Sequence, residues 1–110
     1  MNITIDDLET YLADRYSNWA NEQGLFLKLV EEMGEVAEII NKKTGRKADD
    51  GTDLQSELGK ELADVIHYAV AIAAVNSLDL NKIILEKDRA AAIKYNHKIN
   101  LEDFIFESEK

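Results

Sequence analysis

The stretch LVEEMGEVAEII, residues 29–40, has the spacing of an amphipathic helix, yet its acids do not all fall on the wet side. With about 100° of turn per residue, Leu25, Leu29, Val36 and Ile39 lie within roughly 60° of Glu32, inside the apolar sector. Glu35 stands about 60° round, at the edge of that sector, while Glu31 and Glu38 fall on the polar side. A second stretch, ELADVIHYAVAI at 61–72, repeats the arrangement. Leu54, Leu58, Val65, Tyr68 and Ile72 lie within about 60° of Glu61, and Asp64 takes the edge. If the two helices pack through these faces, four carboxylates converge.

Convergent carboxylates in a partly dehydrated cleft cannot all remain ionised without a counter-charge, because like charges a few ångströms apart raise one another's pKa. Protons shared among them, or cations held between them, resolve the conflict. The chain has no cysteine and the two acid pairs have no histidine pair beside them. An all-oxygen donor set selects hard ions, Mg²⁺ first, with Mn²⁺ or Ca²⁺ as alternatives. Mg²⁺ commonly keeps waters and binds a phosphate group as well, so the pattern points to phosphate-ester or phosphoanhydride chemistry. Acids at spacing three or four also decorate ordinary solvated helix faces, and it is the repetition inside two apolar sectors that sets these apart.

Outward from these stretches the chain reads as helical throughout. A first helix at about 4–20 carries Leu8, Leu12, Tyr16 and Trp19 at helical spacing and opens on a capping Thr4 or Asp6. NEQG at 21–24 reads as a break, residues 25–45 as a second helix ending on lysines and Gly45, and RKADDGTD as a surface connector. A third helix spans Leu54 to about Ser77, and a fourth runs from about Leu80, capped by Asp79, to Tyr95. The tail after Asn96, with Phe104 and Phe106 flanking Ile105, fits either a docking segment or a short strand. Neither βαβ alternation nor a glycine-rich phosphate loop is present, so the class is all-α, most simply an antiparallel four-helix bundle.

At 110 residues without proline, the chain has the length of a single small domain, 1–110, and its broad apolar stripes favour a homodimer. A formal net charge of −9 argues against nucleic acid or an anionic membrane as partner, since both need a cationic face. The N-terminus lacks the pattern of a signal peptide, and no apolar run reaches the roughly 18–20 residues of a membrane span. A cytoplasmic location is the expectation.

KLVEEMGEVAE at 28–38, KELADVIHYAVAIAAVNSLDL at 60–80 and EKDRAAAIKY at 86–95 together resemble the MazG-like all-α nucleoside triphosphate pyrophosphohydrolases over roughly residues 25–95. The mark of that family is Glu-x-x-Glu, a variable gap, then Glu-x-x-Asp. Here it is Glu32 and Glu35, 25 intervening residues, then Glu61 and Asp64. The resemblance implies hydrolysis of a (d)NTP to the monophosphate and pyrophosphate. It implies Mg²⁺ held by those four acids, a metal-bound water as nucleophile, and a dimer or higher oligomer. It also implies substrate contacts from Tyr68, from Lys87 and from the pair Lys94 and Tyr95, while Tyr16 and Trp19 could stack on a base. Each of these six also fits an ordinary core or surface role. Two asparagines frequent in relatives are replaced by Ala74 and Ala91, with Asn76 near but out of register.

These departures leave room for a rival, a catalytically weak or inactive module that keeps the fold and binds metal or nucleotide. A purely structural helical dimer would need lysines such as Lys28, Lys42 or Lys60 to pair with the inward acids. A carboxylate-bridged iron site expects Glu-x-x-His pairs, and Asp64 with His67 is the sole approximation. His67 lies about 120° from Glu61, which suggests an exposed or interface residue. His97 follows the last helix and carries no signal.

Overall fold

In the computed structural model, which describes residues 1–17, 21–48 and 51–110, the described residues form five α-helices and no strand. They are α1 (Ile5–Arg15), α2 (Glu22–Lys43), α3 (Leu54–Val75), α4 (Leu80–Lys94) and α5 (Leu101–Ser108). The sequence dictates where each begins. Thr4, Asn21, Asp53, Asp79 and Asn100 each accept a hydrogen bond from the amide three residues on, satisfying a donor that the first turn leaves open. At Thr4 the bond is reciprocated, because the Asp7 carboxylate accepts from the Thr4 amide at 3.1 Å. NEQG is therefore a helix start, not a break: Asn21 caps Gly24 at 2.8 Å and α2 begins at Glu22.

Three helices stop in the same way. After α2, α3 and α4 a residue with positive φ reverses the chain: Gly45 at 79°, Ser77 at 55° and Asn96 at 55°. The next amide then bonds back across the turn, Arg46 to Asn41, Leu78 to Ala73 and His97 to Ala92, at 2.8–3.0 Å. The tail left open between docking segment and strand is helical, and α5 is tied to α4 by the Leu101 amide on Asp88 at 2.6 Å and by an Arg89–Glu102 ion pair.

The α2 and α3 helices pack along their length in antiparallel sense. Lys43 meets Gln55 at one end, and Asn76 meets Glu22 at the other. Helix α1 lies on α3, where Leu12, Tyr16, Leu25, Val70, Ala71 and Ala74 form the core. Helix α4 bends 108° away from α3 and packs on α1 and α5. The alanines of α3 let α1 approach closely. Among the described residues, Leu12 and Leu25 are the large side chains that are fully enclosed.

Much apolar surface stays uncovered. Phe26, Leu27, Val30 and Met33 on α2 and Leu62 and Ile66 on α3 are each about half exposed, as are Phe104 and Phe106 at the end of α5. The radius of gyration is 17.1 Å, against roughly 13 Å for a compact chain of this length. No single helix among the described residues is long and apolar enough to cross a membrane. With so small a core, Leu12→Ala is expected to remove about 2–5 kcal/mol of unfolding free energy in urea titrations. A loss under about 1 kcal/mol would show that α1 is not anchored where the core places it.

Candidate metal and nucleotide site

Glu32 comes from the middle of α2, and Glu61 and Asp64 from the first half of α3. The antiparallel pairing brings them together, and each offers a carboxylate oxygen within 4.8 Å of the other two. Glu32 and Glu61 are half-buried and Asp64 is exposed, so the cluster opens to solvent on the Asp64 side. The Oε2 of Glu61 is fully enclosed, and no hydrogen-bond donor reaches it from the described residues. A buried acceptor left in this state costs free energy on the order of 1–3 kcal/mol unless a cation or proton satisfies it.

The same crowding acts on Glu32. The carboxyl of Glu32 is pushed up from 4.5 to about 7, chiefly by its contact with Glu61. Burial and the charges of Asp64 and Glu61 add to the rise, and Lys28 opposes it. A donor set of three oxygens, short of positive charge and holding one enclosed acceptor, fits a hard divalent cation. Glu35, one turn beyond Glu32, is exposed and lies outside this group of three.

The other sequence-derived candidates are dispersed. Tyr68 is half-buried against the core, edge-on to His67 with ring centroids 4.9 Å apart. Tyr16 belongs to the core, and its hydroxyl meets His67 Nε2 at 2.8 Å. His67 is thus half-buried at the α1–α3 seam, not simply exposed, and burial followed by the nearby Arg15 charge lowers its pKa. Lys87, Lys94 and Tyr95 are exposed on α4, with Lys94 over the Tyr95 ring at 5.3 Å. Trp19 lies outside the described residues.

Sequence reasoning named two residues without finding the contacts they make. Tyr16 at helical spacing announced a buried aromatic but not the partner for its hydroxyl, which depends on how α1 crosses α3. Lys28 precedes Glu32 by four residues and so shares its face, a spacing visible in the sequence but read there only as a possible ion-pair partner.

Comparison with known proteins gives two matches. The model of the MazG nucleotide pyrophosphohydrolase domain matches residues 20–103. The chain is also similar to the uncharacterized protein YpjD of Bacillus subtilis (strain 168), at 28% identity over 97 residues, covering 88% of this chain and 80% of that protein.

The raised carboxyl has a consequence for stability. Folded Glu32 holds a proton that the unfolded chain has released between 4.5 and about 7. The stability this provides is fully present below the lower value and is lost as pH rises through the upper. In metal-free protein, Glu32→Gln should raise the melting midpoint relative to wild type at pH 8, on the order of 5 °C, with a smaller difference at pH 5. Equal differences at both pH values, by circular-dichroism melts, would contradict a proton shared at this site.

Proposed function

The chain belongs to the MazG nucleotide pyrophosphohydrolase family, and from that premise we propose that it hydrolyses a (deoxy)nucleoside triphosphate between the α and β phosphates, releasing pyrophosphate. The observation that carries this reading is the meeting of Glu32, Glu61 and Asp64 oxygens around an enclosed, unsatisfied Glu61 Oε2. These three residues would hold the cation, Mg²⁺ first and Mn²⁺ as an alternative, with Glu35 as a fourth ligand one turn along α2. A bound divalent ion supplies polarisation of phosphoryl oxygens, charge neutralisation and a more acidic water. The half-buried Glu32 and Glu61 are anchored on two helices packed along their length, so they hold fixed positions, while exposed Asp64 faces incoming substrate. Glu32 must lose its proton before the acids carry full charge. Tyr68, one turn beyond Asp64 on α3, is a candidate contact for the nucleotide.

The exposed faces of α2 and α3 support a homodimer, in which the α2–α3 pairs of two copies would make the antiparallel four-helix bundle. Lys87, Lys94 and Tyr95 are then candidate substrate contacts on α4, and Tyr16 and Trp19 candidate base contacts, within one domain spanning the chain. A nucleotide substrate and a chain without cysteine fit the cytoplasm. Clearance of unwanted nucleotides is the role this chemistry suggests.

A second reading, a metal- or nucleotide-binding module with weak or no turnover, draws on one observation. Ala74, where the family resemblance leads one to expect a frequent asparagine, is buried in the α1–α3 core. Pyrophosphate release from a panel of standard and modified NTPs and dNTPs separates the two. The expected result is release that requires Mg²⁺, stops with excess chelator and falls at least about 100-fold in Glu61→Gln, with helical content unchanged. Wild-type activity in that variant would refute the site, and silence across the panel would favour the binding module.

A further inference from the structure

The carboxylate cluster creates a difficulty for its own substrate. Even with one proton retained, three acids give the opening a negative field, and a polyphosphate chain entering it is itself strongly anionic. A cation on the protein is needed at the rim, placed to meet phosphate without displacing the ion from the acids.

Among the described cations, Lys28 occupies that place. It lies one turn before Glu32 on the same face of α2, so its ammonium can reach the mouth of the cluster, and its charge acts on both Glu32 and Tyr68. Its ammonium is held at 3.2 Å by Glu31, and both side chains are at least half exposed. Such an exposed pair is weak, so it holds the lysine in readiness without locking it. The alternatives lie elsewhere. Lys60 turns about 100° from Glu61. Lys42 and Lys43 sit roughly 15 Å or more beyond Glu32 along α2. Arg15 lies against Tyr16 on α1, and Lys87 and Lys94 belong to α4, which packs on α1 and α5.

We propose that Lys28 is a substrate-positioning residue that leaves Glu31 to bind the pyrophosphate portion of the nucleotide. This inference rests on the pyrophosphohydrolase reading and goes beyond it by naming a phosphate contact outside the four-acid motif. Glu31 serves as the resting partner of Lys28, occupying the ammonium until phosphate competes for it. The exchange needs no backbone movement, only rotation of a long side chain about its own bonds.

The test is calorimetric titration of the magnesium complex of imidodiphosphate, a pyrophosphate analogue with a P–N–P bridge, into wild type and variants. Lys28→Ala is expected to weaken its binding about 10- to 100-fold, and Lys28→Arg to stay within roughly threefold of wild type. Glu31→Gln should tighten binding by about two- to threefold, and Mg²⁺ titrated alone should bind Lys28→Ala no more weakly than wild type. In turnover, the loss in Lys28→Ala should appear mainly in KM. Equal binding of the analogue by wild type and Lys28→Ala overturns the inference, as does a parallel loss of affinity for Mg²⁺ alone. Absence of binding by wild type overturns it as well. The pyrophosphate-release panel judges the parent reading separately, since metal-dependent release can be present while Lys28 proves dispensable.

Discussion

The contact between Glu32 and Glu61 organises the functional half of this molecule. Two half-buried carboxyls on neighbouring helices repel one another when ionised, and the α2–α3 pair tolerates them because a proton or cation can stand between them. Everything around the contact follows from holding two helices antiparallel at one separation. The caps fix where each helix starts, and the left-handed residues fix where it stops. The ties at both ends, Lys43 to Gln55 and Asn76 to Glu22, set the register. In that register the α3 acids face Glu32, so the metal-free chain carries an electrostatic cost where the two helices meet.

Such a cluster competes with the need for a core. Leu12 and Leu25 carry most of the large-residue burial, and alanines supply much of the rest. Small residues on α3 permit close packing of α1 but provide little apolar area per contact. Several large side chains of α2 and α3, among them Phe26, Met33, Leu62 and Ile66, instead face outward. The fold thus divides its apolar surface between a slender interior and an exterior face comparable in character.

Much of this was legible in the sequence because it depends on local rules. Period 3.6 located four helices, the cap residues Thr4 and Asp79 were named, and the angular count placed Glu32 and Glu61 inward before any coordinates. The errors lie where local rules conflict or where geometry is long-range. NEQG looked like a break because it consists of three polar residues and a glycine, yet Asn21 turns the same residues into a first helical turn. The α5 tail was ambiguous because eight residues cannot distinguish the two periods, and its anchoring by Asp88 and Arg89 comes from a different helix. Glu35, at the angular position of Asp64, stands one turn along α2 from the group of three, since an angle on one helix says nothing of distance to the other, and it stays a candidate fourth ligand. His67 falls on a polar arc and is half-buried all the same, because α1 covers that arc.

One feature of the chain ends reaches further than termination. Ser77 and Asn96 hold left-handed backbone at the two corners flanking α4, where glycine is the easier choice. These two corners, with the few contacts of α4 on α1, decide where the α4–α5 arm points. Serine, asparagine, aspartate and glycine can all occupy such a corner at modest cost, whereas β-branched residues cannot. The arm is therefore a steerable appendage: its bearing depends on a pair of hinge letters remote from the carboxylates.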